Sequence, residues 1–373
     1  MSEVSAVQFG PFWSGTTPRA GLPSSAYCDE EFWNAECATV FTDNWVCAGF
    51  AHEIPRAGDA FPTTVAGQPI VLVRDHDNQI GAFHNVCRHR CLKLVDEARN
   101  VGKLIRCPYH AWAYDLKGAL RAFPSFGGPG DAKAEGFEPA AHGLVPVRCH
   151  VWHDWIFVNV GGKAPDFDAY AASLQARLSD VDLTHLMPLT TLDFGIVETN
   201  WKFIMENFIE PYHVQFVHRG TTDQPLDKHA TFIDGNCLGS TVDLDAENTG
   251  TSSLAVSSRY LTLFPNFILG TYFPNQIGVY LNVPLGPGRT AQKRAIYQTH
   301  GERPDAVGIE ALGKLWWNVH KEDHAICERM QQGRASVVAR DGGVLSSCWE
   351  DSVRAFQELV AVNTSAGAPA SHR

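Results

Sequence analysis

Two short clusters, Cys87-Arg88-His89 and Cys107-Pro108-Tyr109-His110, constrain this chain more than any other feature. Each couples one thiol to one imidazole, and seventeen residues lie between them. Such a donor set has a use only if the fold brings two loops face to face. The surrounding sequence has the right pattern for that. The runs IVLVR (70–74), AFHNV (82–86) and WIFVNV (155–160) are rich in β-branched and aromatic residues. Turn formers punctuate them: DHDNQ (75–79), LKGA (116–119) and FGGPGD (126–131). Many short strands with no helix between them predict a small antiparallel barrel or sandwich over residues 40–160, with the four donors on its loops.

The donor set narrows the cofactor. Cys2His2 zinc sites usually group two Cys at one point in the chain and two His at another. Here both clusters are mixed. That suits a Rieske [2Fe–2S] centre, in which two His replace two Cys on one of the irons. Zinc and a chance surface arrangement are the competing readings. Arg90, Tyr109 and Trp112 flank the donors and either tune the site or simply pack. The other eight Cys (28, 37, 47, 91, 149, 237, 327 and 348) mostly sit singly among apolar residues and read as core thiols.

Size and charge exclude other classes. At 373 residues the chain has room for two domains. A net charge of −11 argues against nucleic acid or an anionic membrane as partner. There is no apolar run long enough to span a bilayer, and no secretory signal pattern at MSEVSAVQFGPFWSG, so a cytoplasmic location is expected.

After residue 160 the character changes. DFDAYAASLQARLSDV (166–181), NWKFIMENF (200–208) and residues 305–333 have helical periodicity, whereas residues 260–284 read as adjacent strands. The predicted division is an N-terminal segment (1–40), a β domain (41–160) and an α+β domain (161–373). The segment NWKFIMENFIEPYHVQFVHRG (200–220) carries His213 and His218, with Glu210 three residues before the first. A 2-His-1-carboxylate triad leaves positions open on Fe(II) for O2 and substrate. On a regular helix residues five apart cannot share a face, but Pro211 should break the helix and let both rings converge. Two surface histidines are the plainer alternative.

NVCRHRCLKLV (85–95) with CPYHAWAYDLKGAL (107–120) resembles the N-terminal domain of the Rieske-type non-heme iron oxygenases, large (α) subunit. Residues 22–50 are similar to the entry segment of that family. The family usually has Gly or another small residue where this chain has Cys91. Glu206-Asn207, Glu210, His213 and His218 match the family's catalytic motif, and HKEDHAICERMQQG (320–333) resembles its late helix. The resemblance implies an all-β Rieske domain followed by an antiparallel sheet covered by helices, a helix-grip-like catalytic domain. It implies Cys87, His89, Cys107 and His110 as cluster ligands and His213, His218 and Asp323 as ligands of a mononuclear Fe(II). Glu322 is the local competitor of Asp323. Asn207 would lie near the iron. Glu210 would bridge His213 to a Rieske His, such as His110, of a neighbouring subunit in a homotrimer or a multiple of it.

The same resemblance implies a terminal oxygenase that uses O2 and electrons from elsewhere. The chain lacks a G-x-G-x-x-G loop and a plant-type ferredoxin Cys run, so a separate NAD(P)H-dependent reductase, with or without a ferredoxin, is expected. Glu at 210, frequent in the branch of the family that oxidises quaternary amines, tips the expected substrate towards a betaine-like compound. The aromatics of residues 259–283, with Trp316 and Trp317, would suit a quaternary ammonium through cation–π attraction. Ring hydroxylation of an aromatic carboxylate is the alternative reading. A non-catalytic Rieske electron carrier is the lower one.

Overall fold

In a computed structural model of the chain, the described residues are 19–366, apart from Lys133, 222–223, 245–255 and residue 273. Part of the expected N-terminal segment therefore lies outside them. The chain divides into two compact units, Cys47–Lys163 and the residues up to Val46 joined by those from Ala164 onward. Among the described residues no helix is long and apolar enough to cross a membrane.

The Cys47–Lys163 unit is β throughout, apart from short 3-10 turns. Its larger sheet has the order Val46–Phe50, Trp155–Asn159, Pro146–Trp152, Ile80–His84, Gln68–Arg74, Asp59–Val65, Arg99–Asn100. Trp155–Asn159 is buried along its whole length, as its unbroken apolar run requires. A smaller sheet of Leu104–Arg106, Ala113–Asp115 and Leu120–Ala122 holds the second cluster in its first hairpin. The core beneath both loops includes Val71, Val95, Ile105, Trp112 and Tyr114, together with Cys87 and Cys107 themselves.

The other unit is built on an antiparallel sheet. Its order is Met187–Val197, Arg289–Gln298, Gln276–Gly286, Phe267–Tyr272, Val256–Leu263, Cys237–Leu244, His229–Asp234. The helices Trp201–Ile209, Ala306–Gly333 and Asp351–Ala366 pack on it. Asp305 caps the long helix by accepting from Gly308 N at 2.8 Å. The Trp201–Ile209 helix is anchored by a buried pair, Lys202 Nζ to Glu36 Oε1 at 2.6 Å. The single helix expected over 166–181 is instead two, Phe167–Tyr170 and Ala172–Arg177. The break lets the Tyr170 hydroxyl reach Phe264 O at 2.6 Å while Leu174 and Leu178 stay buried. The expectation of core thiols fails for Cys28, Cys91 and Cys348, which are exposed, whereas Cys47, Cys237 and Cys327 are buried. All three exposed thiols sit at turns or helix ends, where neighbouring apolar residues point elsewhere.

Candidate metal centres and substrate cavity

The two Cys/His loops have the same backbone design. In the first, Cys87 N donates to Leu92 O (2.8 Å) and Cys91 N to Cys87 O (3.0 Å). In the second, Cys107 N donates to Trp112 O (2.8 Å) and Ala111 N to Cys107 O (3.1 Å). The residue four after each Cys is left-handed, with φ +57° at both Cys91 and Ala111. Glycine adopts that conformation freely and other residues at a cost, which accounts for small residues at the Cys91 position. The strained backbone, rather than the thiol, is what this position is built around.

The thiols of Cys87 and Cys107 are buried and adjacent. The rings of His89 and His110 sit outside them with centroids 4.6 Å apart, His110 exposed. Two inner thiols and two outer imidazoles fit the donor set of a Rieske centre, the imidazole pair lying on the solvent side. Trp112 stacks on His89 at 5.0 Å. Arg90 and Tyr109 instead pair with each other at the surface (3.2 Å). The residue missed from sequence is Tyr114. Its oxygen accepts from Arg88 N at 2.9 Å and lies 3.3 Å from Cys87 Sγ, so its proton is free for the sulfur.

The second centre depends on a broken helix. Trp201–Ile209 ends before Pro211, and Glu210 is extended (φ −106°, ψ 137°), as a residue preceding proline prefers. A new short helix, Val214–Val217, then has His213 and His218 at its two ends. Their rings stand 5.4 Å apart. Ligating atoms of His213, His218 and Asp323 all lie within 4.8 Å of one another. Asp323 comes from the Ala306–Gly333 helix.

Each imidazole is gripped from behind. His213 Nδ1 is 2.6 Å from Glu210 Oε1, and His218 Nδ1 is 2.8 Å from Glu322 Oε2. A carboxylate at Nδ1 keeps the proton there and leaves the lone pair at Nε2. Both Nε2 atoms face Asp323 Oδ1, at 3.7 Å and 3.0 Å. That oxygen is buried, and among the described residues no donor is aligned on it. Two lone pairs and an orphaned carboxylate oxygen converging on one point fit a divalent metal such as Fe(II). Burial opposes charge on His218, but Asp323 and Glu322 outweigh it and raise its pKa to about 9. The field at this point is thus strongly negative. Glu322, adjacent to Asp323, does not face the same point. It holds the other edge of the His218 ring and accepts from Thr221 Oγ1 at 2.7 Å.

A cavity of about 310 Å³ opens beside these residues. Phe208, Tyr260, Tyr272, Tyr280, Leu315 and Trp316 form its apolar walls, and Asn207, Glu210, His213, His218 and Asp323 also line it. Gly270 and Gly278, paired across neighbouring strands, leave room for this wall. A Cβ at Gly270 would stand 2.3 Å from the Tyr272 hydroxyl. Trp317, singled out with Trp316, packs on Phe194 instead (4.9 Å). Sequence reasoning did not find His229, a buried lining residue whose two ring nitrogens have no partner among the described residues. Burial, with the nearby His213, lowers its pKa to about 4 and keeps it neutral.

Comparison with known proteins finds a match for each of the two domains. Residues 44–131 match the Rieske [2Fe-2S] domain, and residues 167–366 match the catalytic domain of the ring hydroxylating alpha subunit. The chloroplastic choline monooxygenase of Atriplex hortensis is 28% identical over 86% of this chain and 73% of its own length. The glycine betaine monooxygenase oxygenase subunit of Chromohalobacter salexigens is 27% identical over 94% and 88%. A solved structure of the quaternary ammonium Rieske monooxygenase CntA in complex with L-carnitine shares the fold, with a TM-score of 0.78 and 23% identity over 94% of this chain and 97% of that one. This chain belongs to the ring-hydroxylating alpha-subunit family of Rieske non-heme iron oxygenases, oxidoreductases that use a [2Fe–2S] cluster and a mononuclear iron.

Proposed function

We propose that the protein is the terminal oxygenase of a multicomponent system that hydroxylates or demethylates a small trimethylammonium compound. The observation that carries this reading is the cavity, whose aromatic walls end at His213, His218 and Asp323. A quaternary ammonium is held by ring faces and by nearby negative charge, and this cavity offers both. The names of the choline- and betaine-oxidising relatives support the same class.

Cys87, His89, Cys107 and His110 would hold the cluster, and His213, His218 and Asp323 the mononuclear iron. Together these groups supply one-electron storage and O2 activation when bound. The rest is the work of this chain. Glu210 and Glu322 orient the two imidazoles and hold their protons at Nδ1. Phe208, Tyr260, Tyr272 and Tyr280 exclude water and turn a methyl group towards the three ligands, with Asn207 at the cavity edge. Glu210 also serves as the link from His213 to His110 of a neighbouring subunit. The exposure of Tyr109 and His110 on one unit, and of Tyr212 and Phe216 on the other, supports such a contact in a homotrimer. Electrons come from a separate NAD(P)H-dependent reductase.

Iron and sulfide analysis with EPR on anaerobically purified protein tests the centres. About three irons and about two sulfides per chain are expected from one cluster and one mononuclear site. Two irons would reject the oxygenase and leave an electron carrier. NADH and O2 consumption with a reductase then tests the substrate. Stimulation by benzoates and by no trimethylammonium compound would replace the proposed substrate with an aromatic carboxylate.

A further inference from the structure

A guanidinium lies behind the aromatic wall of the cavity with no counter-charge among the described residues. Arg294 is fully buried. Its Cζ is 3.5 Å from the ring centre of Trp316, 5.2 Å from that of Tyr272 and 5.1 Å from that of Tyr280. All three rings line the cavity. Nη1 donates to the Tyr280 hydroxyl at 2.8 Å and lies 3.2 Å from His320 Nε2. Nε and Nη2 are buried without a partner, and among the described residues no carboxylate forms an ion pair with Arg294. His320 cannot serve as one: burial, then Arg294 itself, push its pKa well below the usual range, so it is neutral.

The fold makes room for this charge rather than merely tolerating it. A Cβ at Gly278 would stand 2.3 Å from Nη2 and 2.6 Å from Cζ, so only glycine lets the guanidinium lie on the sheet. A buried ion without a counter-ion is among the costliest features a fold can carry. Its cost is offset if the ligand brings the missing charge.

We infer that the substrate carries a carboxylate, and that Arg294, acting through the Tyr280 hydroxyl it bonds, is the counter-charge that selects it. The Tyr280 oxygen accepts from Arg294, and its proton points towards the neighbouring Tyr272 hydroxyl, from which a ligand oxygen in the cavity can take it. The opposite pole is set by Glu210 and Asp323, which line the same cavity. A zwitterion is therefore aligned, with its ammonium methyl groups towards the metal ligands and its carboxylate towards Tyr280 and Trp316. A trimethylammonium alcohol gains nothing at the second pole. It also meets a Trp316 ring whose one face already carries a cation. The ammonium half of this assignment rests on the function proposed above, whereas the carboxylate half rests on Arg294 alone.

Calorimetric titration of the iron-loaded protein with glycine betaine, its methyl ester, choline and benzoate tests the assignment. The wild-type protein should bind glycine betaine about tenfold or more tighter than the ester or choline, the scale of a hydrogen bond to a charged group. Arg294→Met should erase that difference by weakening the zwitterion, leave choline unchanged or tighter, and give ligand-free protein no less heat-stable than wild type. Arg294→Lys should keep part of the preference. Equal binding of betaine and ester by the wild type, or a preference surviving in Arg294→Met, overturns the assignment. Benzoate binding that depends on Arg294, with no trimethylammonium compound bound, would retain Arg294 and reject the proposed substrate.

Discussion

Glu322→Ala separates the residue that grips His218 from the residues proposed to hold the metal. Glu322 Oε2 takes the Nδ1 proton of His218 at 2.8 Å and the Thr221 hydroxyl at 2.7 Å. Without it, the buried imidazole has no acceptor behind it. Its proton can then move to Nε2, the atom that must stay free to ligate. Losing an outer partner of this kind costs about 10–100-fold in metal affinity, or roughly 1.4–2.7 kcal/mol. Glu322→Gln keeps an acceptor oxygen but loses the charge, so it should fall at or below the lower end of that range. Thr221→Val should do less again, because it leaves the His218 contact intact. The assay is a chelator titration that follows iron content, with the visible absorption of the cluster as internal standard. The proposed cluster ligands lie in the Cys47–Lys163 unit, so that absorption should not change. Wild-type iron retention in Glu322→Ala would refute the argument. Iron retained in Asp323→Ala but lost in Glu322→Ala would reverse the assignment of the two carboxylates.

Other consequences are equally direct. Tyr114→Phe removes the donor beside Cys87 Sγ, so the cluster potential should fall, with a stability loss of about 1 kcal/mol; a redox titration showing an unchanged or higher potential would count against it. Lys202→Met leaves Glu36 buried and unpaired and should cost about 3–5 kcal/mol in urea denaturation, whereas Lys202→Met with Glu36→Leu should come back close to wild type. Burial raises the pKa of Glu206 from 4.5 to about 7, against hydrogen bonds from Tyr27 and Gln357. The folded state therefore favours the protonated acid, and the stability it has below about pH 4.5 is lost as pH rises to about 7. Glu206→Gln should be up to about 3 kcal/mol more stable than wild type at pH 8 and equal to it near pH 4.5; a gain that does not vary with pH would refute the protonated acid.

How much of this was legible in the sequence depends on how far apart the cooperating residues stand. Cys87 with His89, and Cys107 with His110, are each held in one hairpin loop, so local spacing carried the donor set. His213 and His218 were legible for a related reason. Pro211 is visible, and what it does to a helix is known in advance. The paired carboxylates were only half legible. Reasoning that adjacent Glu322 and Asp323 cannot both face one point is sound, and only Asp323 does. What spacing could not show is that Glu322 would take the opposite edge of the same imidazole, 104 residues away in the chain. Tyr114 was hidden because nothing about a tyrosine in a short strand says that its oxygen meets a sulfur 27 residues away. Arg294 was hidden for a deeper reason. In the sequence it closes a polar run, Gln292-Lys293-Arg294, and such a run would as readily put it on the solvent side. Only the packed fold turns it inward, beneath Trp316 and against Gly278, and leaves two of its donors without partners. Motifs report chemistry whose partners are already in the chain, whereas an unmet charge becomes visible only once every partner the chain can offer has been placed. That is why the candidate metal centres could be read early, and why the charge proposed for the substrate is read from Arg294.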